Sequence, residues 1–303
     1  MRVTFLGTAA ARPTVSRNVS SLTVQREGEL LMFDCGEGTQ RQMMRFGTGF
    51  ALDDIFFSHL HADHFLGVIG LLRTMGLQAR ENPIRLWVPQ GGEAILEGAV
   101  KLGVERVPFD VNVIGVVPGS PIRRETYDII PFRTAHGGNS LGYGLVEHQR
   151  LGRFNPDRAR ELGVPEGPLW GSLHHGQPVS VDGRTVNPVD VVGPPRPGRK
   201  VIYTGDTRPC RETTEIAAGA DLLVHEATFS HDEADRARQT GHSTAREAAR
   251  VARDARAHRL VLTHISPRYA DDIRTLEREA RKGFPGTIVA YDGLVVEVPY
   301  RDE

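Results

Sequence analysis

A dense run of metal-ligating residue types is the feature that most restricts how this chain can fold. Residues 55–58 form a short apolar segment with the character of a buried β-strand. Four ligand-type side chains follow it directly: His59, His61, Asp63 and His64. Because His59 and His61 alternate, an extended chain directs both imidazoles to one side, and the next two ligands fall where the chain turns. The run predicts a two-metal site at a strand end.

The composition agrees with a site built from nitrogen and oxygen ligands. The 303 residues include twelve histidines, whose neutral imidazole is the commonest metal ligand side chain. The two cysteines, Cys35 and Cys210, are too few for a disulfide framework or a zinc ribbon. The 37 basic residues balance the 38 acidic ones, which excludes a highly basic nucleic-acid coat and an acidic tail. Of these basic residues 34 are arginine, which suits local contact with phosphates.

Three further candidate ligands follow other predicted strands. His136 comes after the segment 129–135, Asp206 after 201–204, and His264 after 259–263. Each residue taken alone is typical of a surface or capping position. Together with the first run, each stands where a metal ligand is expected. The sequence therefore supplies seven ligand positions for two ions.

Short β-rich runs alternate with helical stretches over most of the chain, which predicts an α/β fold with layered sheets and helices. Strands are predicted at 3–6, 21–24, 30–33, 55–58, 84–88, 111–117, 127–132, 141–146, 201–204, 222–225, 259–263, 288–291 and 295–298. Helices are predicted at 38–46, 65–77, 92–102, 213–218, 243–257 and 271–284, with Ser243 at the head of the fifth.

One segment departs from this alternation of predicted strands and helices. Residues 163–198 contain 14 glycines and prolines in 36 positions and few residues that could form a core. The wider span 150–200 has eight basic and five acidic residues, a local net charge of +3. We expect a projecting arm or lid that favours an anionic ligand. A flexible surface insertion without a role is the alternative.

The ligand pattern resembles the metallo-β-lactamase fold, whose metal ligands occur in this order at strand ends. More specific segments resemble the ribonuclease Z family of tRNA 3′-processing endonucleases. They are DCGEGTQ at 34–40, HEATF at 225–229, GHST at 241–244, LTHIS at 262–266 and GVPEGP at 163–168. The similarity extends from FLGT at 5–8 to AYD at 290–292. It implies a four-layer αββα sandwich spanning residues 1–303, with a tRNA-binding arm inserted at 150–199.

The resemblance also implies roles for individual residues. One Zn²⁺ would be held by His59, His61 and His136, and a second by Asp63, His64 and His264, with Asp206 bridging them. Mn²⁺ is the alternative ion. Asp34 would hold the metal ligands in place without binding the metal itself. Catalysis would use Asp63, His242 and Glu226, and RNA would be bound by Gly167, Pro168, Arg17 and Asn18. Val15 stands where relatives often have Lys, which removes one charge near Arg17.

The implied function is cleavage of tRNA precursors just after the discriminator nucleotide, which leaves a 3′-hydroxyl on the tRNA and a 5′-phosphate on the trailer. The family resemblance also implies a homodimer. A cytoplasmic protein with no membrane or DNA partner is expected, because the N-terminus lacks the apolar core of a signal peptide and the longest apolar stretch is too short to span a bilayer. The metal ligands alone favour other enzymes of the fold, such as a small-molecule phosphodiesterase or ester hydrolase. A binding protein without catalysis, or an iron-dependent redox protein, would share the fold. The arm and the segments around Glu226 and His242 argue against the other enzymes of the fold. The binding protein is disfavoured because all seven ligand positions are filled, and the redox protein would need more carboxylate ligands and an attached flavin domain, neither of which is present.

Overall fold

A second unit interrupts the main unit between Val146 and Lys200. The computed structural model describes residues 1–104 and 106–301. The first unit comprises Met1–Val146 and Lys200–Pro299, and the second comprises Glu147–Arg199 with the chain from Tyr300 onwards. Val146 and Lys200 are register partners on neighbouring antiparallel strands, so the second unit is inserted at a strand-to-strand connection.

Seven strands form the first sheet. In spatial order they are β16 (Val295–Glu297), β1 (Arg2–Gly7), β2 (Ser21–Arg26), β3 (Glu29–Phe33), β4 (Leu52–Phe56), β5 (Ile84–Pro89) and β6 (Val111–Val116). The strands β1, β2 and β3 are antiparallel; residues 8–20 connect β1 to β2, and a two-residue turn connects β2 to β3. The strands β3 to β6 are parallel, which requires a crossover segment between each pair.

The second sheet also has seven strands among the described residues. Their spatial order is β15 (Ile288–Val289), β14 (Leu260–Thr263), β13 (Leu222–Glu226), β12 (Lys200–Tyr203), β9 (Leu141–Glu147), β8 (Tyr127–Arg133) and β7 (Ile122–Arg123). The strands β12 to β15 are parallel, so their carboxyl ends meet at one edge. The two-residue edge strand β7 is absent from the predicted elements.

The two sheets pack face to face through large apolar side chains. Phe33 of β3 and Phe56 of β4 stack with ring centroids 5.2 Å apart. Tyr143 of β9 packs against them at 5.8 and 5.5 Å. All three rings are almost completely buried. Each such side chain contributes about 1.5–3 kcal/mol to stability by its burial.

Helices cover the outer faces of both sheets in the first unit. They are α1 (Thr39–Phe46), α2 (Ala62–Phe65), α3 (Gly67–Leu77) and α4 (Glu93–Val100) in the first half, and α7 (Arg211–Ile216), α8 (Ala234–Thr240), α9 (Ala245–Asp254) and α10 (Arg274–Gly283) in the second. Apolar residues of α1, α3 and α4 pack on the first sheet, and those of α9 and α10 on the second. The predicted four-layer αββα sandwich is confirmed. Of the described helices, none has the length and apolar character needed to cross a membrane.

Helix α9 begins two residues later than the predicted helix at 243–257. Thr244, not Ser243, is the capping residue, and its Oγ1 accepts a hydrogen bond from Glu247 N at 3.3 Å. Glu247 Oε2 accepts a hydrogen bond from Thr244 N at 2.9 Å, which completes a capping box. The hydroxyl of Ser243 instead donates to Thr207 O at 2.6 Å. The start of α9 is thereby tied to the loop after β12.

The second unit has a hydrophobic cluster of its own, formed by the few apolar residues among the glycines and prolines of the inserted segment. Two helices, α5 (Pro156–Glu161) and α6 (Pro168–His174), accompany a hairpin of β10 (Val179–Val181) and β11 (Arg184–Val186). The buried residues are Ala159, Val164, Leu173, Val179, Val186 and Val191. These small apolar side chains are scattered between glycines and prolines, so no helical or strand periodicity reveals them.

Candidate metal centre

A buried carboxylate fixes the loop that carries four of the predicted ligands. Asp34 follows β3, and its Oδ1 accepts a hydrogen bond from Ser58 N at 2.7 Å. Its Oδ2 accepts hydrogen bonds from Ser58 Oγ at 2.7 Å and from the Tyr203 hydroxyl at 2.6 Å. The same oxygen lies 2.7 Å from His64 Nδ1. This contact orients the imidazole so that Nε2 faces the other candidate ligands.

The first cluster contains His59, His61, His136 and Asp206. His59 and His61 extend to the same side of the loop, as their alternation predicts, and His59 Nε2 lies 3.0 Å from His61 Nδ1. His136 reaches in from the segment after β8, with Nε2 3.3 Å from His61 Nδ1. Asp206 Oδ2 lies 3.7 Å from Nε2 of both His59 and His136.

The second cluster contains Asp63, His64 and His264. The Nε2 atoms of His64 and His264 are 3.3 Å apart. Asp63 Oδ2 lies 3.3 Å from His264 Nε2. Asp206 also faces this cluster, since its Oδ2 is 3.3 Å from His64 Nε2 and its Oδ1 is 3.3 Å from His264 Nδ1. Asp206 therefore stands between the two clusters.

The donor chemistry of the two clusters fits divalent cations. Imidazole nitrogens face one another at 3.0 to 3.3 Å. Asp206 Oδ1 is buried and makes no hydrogen bond with the described residues. The opposite ring nitrogens of two histidines are held by the protein, His136 Nδ1 by Gly241 O at 2.9 Å and His264 Nδ1 by Thr228 Oγ1 at 2.9 Å. Lone pairs that converge in this way are what Zn²⁺-type ions require.

Ionised carboxylates give the site a negative electrostatic potential. Burial lowers the pKa of His64, but the charges of Asp206 and Asp34 outweigh burial and raise it well above its usual value. Burial and the neighbouring imidazole of His64 lower the pKa of His59 well below its usual value. Although burial opposes it, the charges of His264 and His64 hold the pKa of Asp206 well below the ordinary range. A bound cation would meet this negative potential.

His242 and Glu226 form an ion pair beside both clusters. Glu226 ends β13, is completely buried, and its Oε1 accepts a hydrogen bond from His242 Nδ1 at 2.9 Å. The His242 ring lies 4.6 Å from that of His136 and 5.3 Å from that of His264. Burial lowers the pKa of His242, but the charge and hydrogen bond of Glu226 raise it to about 9. Cations bound at the adjacent clusters would act against this rise.

Arg208 is a residue near the site that the sequence analysis missed. Its Nη1 donates to the backbone oxygen of His242 at 2.7 Å, and its Nη2 donates to Glu247 Oε1 at 2.7 Å. Because Glu247 also caps α9, one guanidinium joins the loop of Asp206 to the segment of His242. The only sequence signal was its position two residues after Asp206, since its partners are 34 and 39 positions away.

Arg17 and Asn18, predicted to bind RNA, are engaged in holding their own loop. Arg17 Nη1 donates to Thr8 Oγ1 at 2.7 Å and to Ala290 O at 2.6 Å. Asn18 Nδ2 donates to Glu37 O at 2.7 Å. Neither side chain belongs to the two His/Asp clusters. The described contacts give these residues a role in shaping the loop, and their contact with RNA stays a prediction.

The two arm residues predicted to bind RNA lie in the second unit. Gly167 precedes α6 with φ +132°, and Pro168 is the first residue of that helix. A φ in this range is accessible to glycine at little cost, and proline is well suited to a first helical position. The Gly-Pro pair therefore has a local structural reason, and its part in RNA binding stays a prediction.

Comparisons with known proteins agree with the site and the fold. A model of the beta-lactamase superfamily domain matches residues 172–265, and one of the anti-Pycsar protein Apyc1 matches residues 1–151. Ribonuclease Z of Gemmatimonas aurantiaca is 55% identical over 99% of this chain and 97% of that protein. Ribonuclease Z of Myxococcus xanthus is 54% identical over 100% of this chain and 99% of that protein.

A solved structure extends the likeness to three dimensions. Human tRNase Z, short form, matches with a TM-score of 0.72 and 29% identity, over 99% of this chain and 100% of that chain. These similarities confirm the metallo-β-lactamase fold and imply a divalent metal ion, for which the His/Asp clusters supply the donors. Relatives with more than 50% sequence identity over nearly the full length of both chains show to which family this chain belongs. The chain belongs to the ribonuclease Z family.

Proposed function

We propose that this chain removes the 3′ trailer from tRNA precursors by cutting just after the discriminator nucleotide. The products would be a tRNA with a 3′-hydroxyl and a trailer with a 5′-phosphate. As a member of the ribonuclease Z family, the chain is a metal-dependent hydrolytic endoribonuclease of tRNA 3′ processing. The observation that carries the finer proposal is the convergence of two His/Asp clusters beside the His242–Glu226 pair.

The proposed cofactor is a pair of Zn²⁺ ions in each chain, with Mn²⁺ as a substitute. One ion would be held by His59, His61 and His136, the other by Asp63, His64 and His264, and Asp206 would bridge them. Imidazole and carboxylate ligands without thiolate suit Zn²⁺ and leave room for a water and a phosphate. When bound, such ions lower the pKa of water and neutralise the charge of the phosphate oxygens.

Two protein side chains would donate and accept the protons of the reaction. Water attacks phosphorus, the bond from phosphorus to the 3′-oxygen breaks, and that oxygen takes up a proton. His242 is the proposed donor of this proton from Nε2, because its Nδ1 is held by Glu226, whose negative charge favours the protonated ring. Asp63 is the proposed acceptor of the proton of the attacking water. Its pKa is lowered by His264 and His64 despite burial, so it is ionised.

The second unit is the proposed tRNA-binding arm. Gly167 and Pro168 would contact the substrate there, while Arg17 and Asn18 would do so from the loop after β1. The net charge of +3 over residues 150–200 supports contact with phosphates at a distance from the cut. We also propose a homodimer in which the arm of one subunit serves the site of the other. The proposed location is the cytoplasm, and the partner is precursor tRNA, not DNA or a membrane.

The direct test is incubation with a precursor tRNA that bears a 3′ trailer, with and without a metal chelator. We expect cleavage after the discriminator nucleotide, a 3′-hydroxyl on the tRNA, and loss of activity on chelation that added Zn²⁺ restores. End mapping of both fragments checks the position and the chemistry. An intact precursor together with rapid hydrolysis of a small ester or phosphodiester would favour a small-molecule hydrolase of the same fold.

A further inference from the structure

A cavity of about 710 Å³ in the first unit opens beside the cluster of His59, His61 and His136. It lies between two loops and the end of α8, which contribute residues 89–92, 137–140 and 238–241. Leu60 and Ile95 complete the lining. Its volume is in the range of sites that enclose a ligand the size of a nucleotide. The proposed ligand and catalytic roles account for only the three histidines of this lining.

The lining favours a phosphate. It contains no aspartate or glutamate, and Arg238 is its one arginine or lysine. Gly137 and Gly138 adopt φ of +66° and +58°, and their backbone N–H groups donate no hydrogen bond to the described residues. Arg238 pairs with Asp235 on the surface of α8. Such exposed pairs contribute little, so the guanidinium is free to turn towards a phosphate.

The same cavity also offers a surface for a base and ribose. Ile95 exposes 57% of its surface although it is a large apolar residue, and Leu60 and Pro89 lie in the same lining. Asn139 Nδ2 donates to Gln90 O at 2.9 Å, which ties the two loops together. Apolar contacts of this kind accept the face of any base. The combination fits a nucleotide that is bound whatever the identity of its base.

We propose that this cavity binds the first unpaired nucleotides of the trailer, on the 3′ side of the scissile phosphate. This proposal rests on the proposed function. The trailer leaves the cut as a single strand, whose separate nucleotides match the volume of the cavity, whereas the discriminator nucleotide continues a base-paired stem. Arg238 and the amides of Gly137 and Gly138 hold trailer phosphates, and Ile95 supports a base.

The test uses one tRNA body with trailers of one or six nucleotides. Arg238→Gln is compared with Arg236→Gln, which removes an exposed arginine on the same helix, ion-paired to Glu233 at 3.6 Å and outside the cavity. We expect Arg238→Gln to raise KM about 5- to 10-fold for the long trailer with kcat unchanged, as loss of one charged hydrogen bond does. The one-nucleotide trailer and the Arg236→Gln variant should both give values within about twofold of the wild type.

Salt dependence provides a second measurement on the same proteins. The slope of log KM against log salt for the long trailer should fall by about 0.7 in Arg238→Gln, as one phosphate contact to a single strand predicts. Equal KM changes for both trailers, or equal behaviour of the two variants, would refute the trailer site while the proposed function stands. A wild-type protein that cuts neither precursor would refute both proposals.

Discussion

Asp34 adopts a left-handed backbone conformation with φ +54° and is completely buried. Its two oxygens accept hydrogen bonds from Ser58 and Tyr203 and contact His64 Nδ1. We expect Asp34→Asn to lower Zn²⁺ affinity about 10- to 100-fold, because the amide has one acceptor oxygen and leaves the imidazole of His64 less firmly oriented. Competition titration with a chromophoric chelator measures this change.

The matched control for this substitution is Tyr203→Phe. It removes one donor to Asp34 at 2.6 Å and leaves the contact with His64 in place. We expect the metal affinity of the control to stay within about threefold of the wild type, since only one of the hydrogen bonds to Asp34 is lost and the contact that orients His64 remains. Wild-type affinity in Asp34→Asn would contradict the supporting role of this carboxylate.

Residues with distinctive chemistry at strand ends could be predicted from the sequence, and their partners only in part. His264 follows a predicted strand of the parallel set β12 to β15, whose carboxyl ends meet at one edge, and His136 follows the predicted strand β8, outside that set. The groups that hold their rings have no such signal. The acceptor for His136 is the backbone oxygen of Gly241, 105 positions away, and every residue has such an oxygen. Only the folded chain shows which one is used.

At the scale of elements, Arg208 and Glu247 connect the loop after β12 to the start of α9. Their double hydrogen bond, at 2.9 and 2.7 Å, holds the guanidinium that also bonds His242 O. We expect Arg208→Met to slow precursor cleavage about 10- to 100-fold, because a displaced His242 protonates the leaving oxygen poorly. Hydrolysis of bis(p-nitrophenyl) phosphate should fall less than about threefold, since its leaving group needs no proton.

The measurement is kcat on both substrates, together with the metal content of each protein. Arg211→Met is the control, because Arg211 forms an exposed ion pair with Glu215 at 2.6 Å on α7. Its kinetics should match the wild type. Parallel losses on the two substrates, or loss of metal from Arg208→Met, would show that the arginine supports Asp206 instead of His242.

A second pair of elements, β4 and β5, is joined by a buried carboxylate. Asp54 accepts hydrogen bonds from Arg85 at 2.7 Å, from Trp87 Nε1 at 2.6 Å and from Arg124 at 3.1 Å. Burial alone would raise the pKa of Asp54, but its hydrogen bonds from Arg85 and Trp87 and the charge of Arg124 lower it. The ionised form is therefore favoured by the folded state.

This lowered pKa fixes the direction of a pH effect on stability. A carboxylate with a lower pKa in the folded state stabilises above its unfolded pKa, near 3.9, and this contribution is lost as pH falls through the folded pKa. We expect Asp54→Asn to destabilise the protein by about 2 kcal/mol at pH 7 and by progressively less below about pH 4. Urea unfolding followed by tryptophan fluorescence measures both values. A difference independent of pH would contradict the ionic contribution.

The elements themselves show where sequence patterns succeed and where they fail. The parallel strands β5, β13 and β14 were predicted because buried strands form short continuous apolar runs. Of β4, only Ile55 and Phe56 were predicted, because Asp53 and Asp54 interrupt its apolar residues. Helices α5 and α6 were missed, since each has at most seven residues and lies among glycines and prolines. Packing against a common cluster stabilises them, and that cluster draws residues from Ala159 to Val191. Such contacts leave no local period in the sequence.

At the scale of the whole molecule, the second unit can be removed at a defined place. The chain segments at Arg150 and Arg196 form an isolated antiparallel bridge through two backbone hydrogen bonds, at 2.8 and 3.0 Å. A short glycine-serine linker between them would replace residues 151–195. This excision removes the entire hydrophobic cluster of the second unit, so no part of that core is left exposed. The ion pair of Glu147 and Arg199 remains in place.

Excision of residues 151–195 should separate substrate recognition from chemistry. The proposed ligands and the His242–Glu226 pair all lie in the first unit, so we expect kcat/KM for bis(p-nitrophenyl) phosphate to stay within about threefold of the wild type. Cleavage of precursor tRNA should fall by at least about 100-fold, since contacts remote from the cut supply binding energy for orientation. Equal losses on the two substrates would mean that the second unit maintains the catalytic site and would remove the case for an RNA-binding arm.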